Sequence, residues 1–200
     1  MRLPTSKAFM AAEHRSRLLE GMARAVAAKG YAATTIADIV REASVSRRTF
    51  YEQFFDKAAC LVSLFEAASH EALKVLRAAI DPAHPWQTQV DHALGAYFQA
   101  LAGNPVLLQT LYVEILGLGR AGLAARRRVN QEIAALMLEV VNGGAEKDSP
   151  LPRPMAMALV GAINELVMEY IEGERVPDLA ELVAPAARLV RVVTSAFDAP

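Results

Sequence analysis

Between Thr35 and Phe54 the apolar residues fall into two short runs of helical spacing, with three residues between them. In the first run Ile36, Ile39, Val40 and Ala43 occupy the i, i+3, i+4 and i+7 positions of one buried face. Thr35 is placed to cap that helix, and Asp38, three residues on, completes a capping box. Ser44-Val45-Ser46 interrupts the pattern, and Phe50 and Phe54, four apart, form the inward pair of a short helix over residues 46–54. Before them, Leu18, Met22 and Val26 recur every four residues in a support helix over 14–29, and Gly30 follows as a natural C-terminal stop. Three helices whose last two meet at so short a joint form a helix-turn-helix unit.

The rest of the chain keeps the helical period. A stripe of Leu61, Leu64, Phe65, Ala68, Ala72 and Leu76 predicts a helix over 56–80, ended by Asp81-Pro-Ala-His-Pro85. Further helices are predicted over 86–101, 106–118 and 123–141, with breaks at Gly103-Asn-Pro105 and at Gly117, Gly119 and Gly122. Residues 142–154 are turn-rich, and two helices over 155–171 and 178–197 close the chain. No strand alternation is present, and the chain is 54% hydrophobic with only 6% aromatics, which favours helices over a β-sandwich. The expectation is an all-α protein of about nine helices. It comprises an N-terminal three-helix helix-turn-helix domain over 1–60 and a C-terminal helical ligand-binding and dimerisation domain over 61–200.

Several function classes are disfavoured. A single cysteine, Cys60, excludes an internal disulfide and a cysteine-based zinc cluster. His14, His70, His84 and His92 are dispersed without metal-ligand spacing. There is no Gly-rich phosphate loop, HExxH, CxxC or nucleophile elbow. No catalytic residue, metal or cofactor is therefore expected, and the protein is read as not an enzyme. The first residues lack a signal-peptide run, and His92, Gln99, Gln109 and the Gly103-Asn-Pro105 break make 91–114 a poor membrane span. A soluble, cytoplasmic protein with no membrane partner is the expectation.

Charge points to the N-terminal end. Residues 1–60 hold ten Lys/Arg against six Asp/Glu, net +4, whereas the remainder holds 11 against 16, net −5. A basic head suits an anionic partner. With Phe50 facing the core, Arg48 and Glu52 lie at about 160° and 200° around the helix, and Thr49 and Tyr51 lie on its flanks. Arg reads guanine, Glu accepts from cytosine, and Thr touches a thymine methyl. Arg47, Arg48, Thr49, Tyr51, Glu52 and Gln53 are thus candidate DNA contacts. Lys57 is suited to phosphate, as are Thr35 and Ser46 at helix N-termini. The competing reading makes Arg48 and Glu52 an ordinary i, i+4 ion pair on a solvated face.

The segment over residues 30–61, GYAATTIADIVREASVSRRTFYEQFFDKAACL, resembles the N-terminal DNA-binding domain of the tetracycline-repressor (TetR) family of transcriptional regulators. Gly30-Tyr31, Thr35, Ile39, Val45-Ser46, Thr49-Phe50-Tyr51, Phe54 and the Lys57/Leu61 pair carry the likeness. Three positions depart from the family pattern: Ser44 stands where Gly is frequent, Val40 where a small residue is, and Arg48 where Gly or another small residue is. Ser44 is therefore expected to adopt a left-handed conformation, at a cost of about 1 kcal/mol.

The resemblance implies a homodimer that binds a palindromic double-stranded DNA operator and responds to a small-molecule effector held by the C-terminal helices. A repressor is the first expectation, with an activator or a helical interaction protein as alternatives. For the dimer interface the closing helices offer Leu159, Ile163, Leu166 and Tyr170, then Leu182, Ala186, Leu189 and Val193. The same stripes would equally complete a monomer core. Trp86, His92, Tyr97, Tyr112 and Glu114 are candidate effector contacts, each with a structural alternative. Glu114, a carboxylate among apolar neighbours, needs a cationic ligand or an internal Arg.

Overall fold

The computed structural model describes residues 6–143 and 151–198, and the part of the turn-rich stretch at 144–150 lies outside the described residues. Nine α-helices and two 3₁₀ turns occur among the described residues, with no strand. The helices are α1 (Ser6–Ala33), α2 (Ile36–Ala43), α3 (Arg47–Gln53), α4 (Lys57–Ala78), α5 (Trp86–Ala102), α6 (Pro105–Tyr112), α7 (Arg120–Asn142), α8 (Arg153–Glu172) and α9 (Val183–Asp198). The chain forms two compact units: residues 1–68 with 109–125, and residues 69–108 with 126–200. The division after residue 60 expected from the sequence falls inside α4.

In the first unit α1 lies across α2 and α3. Leu18, Met22, Ile39 and Phe50 are fully buried between them, with Val26 and Phe54 close to it. The contact depends on Gly21. A Cβ built there would meet the Ile39 carbonyl oxygen at 2.7 Å and the Ala43 nitrogen at 2.8 Å, so the α2 backbone rests on the glycine. The α1 helix is broken at Gly30 (φ 75°, ψ 162°), in a backbone region open essentially to glycine alone. Below the break, the Thr34 hydroxyl donates to the Gly30 carbonyl at 2.7 Å.

Arginines from α1 terminate α2. Arg17 donates to the Ala43 and Ser44 carbonyls at 3.0 and 2.7 Å, and Arg24 to the Glu42 carbonyl at 2.6 Å. These are carbonyls that a helix end leaves unpaired and where the helix dipole favours cations. Ser44 itself is left-handed (φ 51°, ψ 46°), as the absent glycine implied. Ser44→Gly is expected to stabilise this unit by up to about 1 kcal/mol, the left-handed penalty less the added chain entropy. A rise of a few degrees in melting temperature would show it.

Asp38 ties α1 to α2. Its carboxylate accepts from Lys29 at 2.5 Å, from the Thr35 hydroxyl at 2.6 Å and backbone N–H at 2.9 Å, and from Arg41 at 3.1 Å. The Lys29 hydrogen bond, followed by those of Thr35, holds its carboxyl well below the usual carboxylate range. A depressed folded-state pKa adds stability above the unfolded value of 3.8 and loses it as pH falls below that value. Asp38→Asn is therefore expected to be less stable than the parent at pH 7, with the difference shrinking by pH 3. Urea melts at the two pH values test this.

In the second unit α5 packs on α9 and the 3₁₀ turn Val176–Leu182, both of which also contact α8, around Phe98, Val167, Leu179 and Val190. The helix expected over 178–197 is instead this turn followed by α9. Pro185 supplies the reason: it has no N–H and its ring would strike the carbonyl four residues earlier, so it is tolerated only in a first turn. Likewise the helix expected over 106–118 ends at Tyr112, and a 3₁₀ turn, Glu114–Leu118, continues toward the glycines. Arg191 of α9 donates from one nitrogen, Nη1, to both carboxylate oxygens of Asp91 of α5, at 2.9 and 3.1 Å. The Asn142 amide pairs with the backbone of Leu151 in both directions, at 3.0 and 3.1 Å.

Four residues read as dimer contacts have a different position. Leu159, Ile163, Leu182 and Ala186 are buried within the protomer itself, because the period of a stripe gives its side but not what covers it. Leu166, Tyr170, Leu189 and Val193 are half-buried, and Val192 is 58% exposed.

Candidate nucleic-acid interface and ligand cleft

The α3 helix is pinned from below and bare above. Phe50 is fully buried and Phe54 nearly so, and the Arg15 guanidinium lies 4.6 Å from the Phe54 ring centroid. The Ser46 hydroxyl accepts from the Thr49 N–H at 3.0 Å, so this serine serves first as the N-cap. Its oxygen also lies 2.8 Å from the Thr49 hydroxyl. Thr35 is the reciprocal cap of α2, with Asp38. Arg47 and Tyr51 are exposed, with Tyr51 set edge-on against Phe50, while Gln53 is half-buried.

Arg48, 90% exposed, donates to Glu52 at 3.0 Å. The i, i+4 pair thus exists in the free protein. Such a pair is worth about 0.3–0.5 kcal/mol, against about 1–3 kcal/mol for a good bidentate base contact. The pair would therefore yield to a guanine edge at small cost, and it holds both side chains on the outer face until then.

Lys57 is placed differently from the other cations. Its ammonium donates to the Tyr31 and Thr34 carbonyls at 2.9 and 2.7 Å and lies 4.2 Å from the Tyr31 ring centroid. It closes the carbonyl end of broken α1 with the first residue of α4. Sequence reasoning missed this role, as it missed Arg17 and Arg24, because their carbonyl partners carry no side-chain signature. Phe55, 88% exposed directly after α3, also went unread. Cys60 is fully buried, and burial pushes its thiol up to about 12, so it is chemically quiet.

The expected effector contacts fall in both units: Tyr112 and Glu114 belong to the first, and Trp86, His92 and Tyr97 to the second. The Glu114 carboxylate accepts from the Tyr31 N–H at 3.0 Å, just past the Gly30 break. His92 is exposed and stacks edge-on with His84, their centroids 5.7 Å apart. Tyr97 lines a narrow cleft of about 70 Å³ in the second unit, with α4, α5, α7, α8 and α9 supplying its walls. Leu76, Leu94, Ile133, Met137 and Val160 are typical of the lining, and Tyr97 and Asn164 are its polar members. The Asn164 amide donates to Asn130 at 3.3 Å. The volume is well below the roughly 300–1,000 Å³ usual for small-molecule sites, so a ligand must part the walls to enter. Among the described residues no group of three or more His, Cys, Asp or Glu could hold a metal ion.

A capped two-helix joint with a bare cationic second helix, followed by an all-helical unit, defines the helix-turn-helix class of DNA-binding regulators. Residues 18–64 match the family model of the bacterial regulatory proteins of the tetR family, so this segment is similar to the DNA-binding domain of those regulators. It is 21% identical over 173 residues to the fatty acid metabolism regulator protein of Bacillus subtilis (strain 168), covering 83% of this chain and 88% of that protein. Two similar folds are solved. The fatty acid degradation regulator FadR of Bacillus halodurans has a TM-score of 0.77 at 19% identity, covering 88% of this chain and 94% of its own. The transcriptional regulator FadR of Bacillus subtilis, in complex with stearoyl-CoA, has a TM-score of 0.76 at 16% identity, covering 88% and 96%. At these identities the structures speak for the fold.

Proposed function

We propose that the protein is a homodimeric transcriptional repressor that binds a palindromic operator through α3 and leaves it when a long-chain acyl effector enters the apolar cleft. The observation that carries the reading is the outer face of α3, where Arg47, Arg48, Tyr51 and Glu52 are all exposed above a fully buried Phe50. Arg47 positions the helix on phosphate, while Arg48 and Glu52 read base edges. One helix of this length reads few base pairs, so useful affinity requires two half-sites presented by two-fold symmetry.

The uncovered face of α8 supports the dimer. This helix is long and apolar enough to cross a membrane, with mean hydropathy 1.2 over its best window, yet only 33% of that window is buried within the protomer. Ala158, Gly161 and Ala162 lie exposed along it. Together with Leu166, Leu189, Val192 and Val193 of α8 and α9 they form the surface that a second copy covers. With this interface the protein stays in the cytoplasm as a soluble dimer and catalyses nothing.

A narrow, almost wholly apolar cleft suits a flexible aliphatic chain better than a rigid ring, and the FadR relatives are named for fatty acids. Coupling to DNA runs through α4, a single helix that begins at Lys57 and carries Leu76 on the cleft wall. An effector need only favour one setting of α4 over another to change the dimer geometry. Adding palmitate or palmitoyl-CoA to the protein–operator complex should lower affinity about 5- to 150-fold, the usual range of coupling. Unchanged anisotropy of the labelled operator at saturating amounts of both would remove the effector from this reading.

A further inference from the structure

Tyr31 is gripped at both of its peptide groups by charged side chains from distant parts of the first unit. The Glu114 carboxylate accepts from the Tyr31 N–H at 3.0 Å, and the Lys57 ammonium donates to the Tyr31 carbonyl at 2.9 Å. Glu114 also covers the open face of Gly30, where an added Cβ would lie 3.5 Å from its Oε1. Lys57 reaches on to the Thr34 carbonyl at 2.7 Å, and the next residue, Thr35, is the cap of α2. Resting on the reading of α3 as the DNA reader, we propose that Glu114 is a positioning residue of the helix-turn-helix unit. It holds residues 30–34, and with them the cap of α2, in the setting that operator binding requires, and it makes that setting depend on α7.

The two grips come from elements that continue into walls of the cleft. Lys57 is the first residue of α4, which carries Leu76 on the cleft wall. Glu114 opens the 3₁₀ turn Glu114–Leu118, which Gly119 (φ 56°) joins to α7, the helix that carries Ile133 and Met137 on the same lining. A Cβ on Gly122 would stand 1.8 Å from the Ile115 carbonyl oxygen, so the first turn of α7 rests on the backbone of that turn and the two shift together. Ile115 is fully buried, which anchors the turn beneath its charged first residue. A short 3₁₀ stretch between two helices is a common form of hinge.

The identity of the acceptor separates this contact from a local cap. A backbone N–H beside a helix break is ordinarily satisfied by water or by a side chain a few residues away. Such a partner would hold the segment whatever the rest of the chain did. Here the acceptor is a carboxylate 83 residues on, and a bond to a charged acceptor is about twice as strong as a neutral one. A ligand that displaces α4 or α7 in parting the narrow cleft therefore pulls on Tyr31, and through it on α2.

The test compares the full chain with Glu114→Ala and Glu114→Gln, using an operator recovered by selection from random duplexes and amide hydrogen exchange. At a temperature where all three are folded, Glu114→Ala should bind the operator about tenfold more weakly, the scale of one lost hydrogen bond to a charged group. The loss should be equal at every salt concentration and for every base substitution, because no phosphate or base contact has gone. Glu114→Gln keeps an acceptor oxygen and should recover most of the affinity. Amides of residues 36–43 should exchange faster in Glu114→Ala. Operator should slow exchange over residues 114–122 in the parent but not in that variant, since coupling between two sites is reciprocal. A lower melting temperature with unchanged affinity and unchanged exchange in α2 would make the contact structural only and overturn the proposal. Operator binding indifferent to the double Arg47→Ala, Arg48→Ala change would instead overturn the reading of α3, and exchange in α2 would then decide the role of Glu114 alone.

Discussion

Gly21→Leu is expected to unfold the helix-turn-helix unit and abolish operator binding. The atoms that a Cβ at Gly21 would strike are the backbone oxygen of Ile39 and the backbone nitrogen of Ala43, at 2.7 and 2.8 Å. Neither swings away as a side chain would, so α2 as a whole must move off α1. That movement opens the contact that buries Leu18, Met22 and Ile39. Overpacking of a closed contact costs about 1–3 kcal/mol, and a bulky residue against backbone belongs at the upper end. Even Gly21→Ala should lower the melting temperature of this unit. Gly95→Ala is the internal control: nothing lies within 4 Å of a Cβ there, and alanine favours a helix interior over glycine by about 0.5–1 kcal/mol. A Gly21→Ala protein as stable as Gly95→Ala would mean that α1 and α2 do not meet as described.

The second large effect belongs to the outer face of α3. Arg48→Ala should cost about 1–3 kcal/mol on the best operator, which is roughly 5- to 150-fold, and relax the preference at one base pair. Arg47→Ala should weaken all sequences alike and flatten the dependence of affinity on salt. The double variant combines the two losses while leaving the fold intact, since both side chains are exposed and neither touches the core. Lys57→Ala is of another kind. Its ammonium holds the Tyr31 and Thr34 carbonyls, so any loss of DNA binding should come with a lower melting temperature. Anisotropy titrations over a range of salt, paired with thermal melts, separate the two cases.

What the sequence made legible was local. Thr35 with Asp38 and Ser46 with Thr49 are caps whose partners lie three residues away, and the left-handed Ser44 follows from a turn that lacks its glycine. The helical period found the buried faces of α1 to α3 for the same reason. Contacts between distant segments carried no such signal. The need of Glu114 for a partner was readable from its apolar neighbours, but the Tyr31 N–H that meets it is 83 residues away. Leu159 and Leu166 belong to one stripe, yet one is buried by its own chain and the other only half-buried, and only the tertiary fold decides which. The cleft was invisible because Leu76, Met137 and Val160 would read the same in a filled core as around a void.

Selection of operators from a random duplex library bears on the central reading most directly. Binding by a dimer through α3 should enrich a single two-fold symmetric sequence, its half-sites about one helical turn (or a multiple) apart, and the double Arg47→Ala, Arg48→Ala protein should fail to enrich it. Enrichment of an unsymmetrical single site, or equal enrichment by the double variant, would show that α3 is not what reads the DNA.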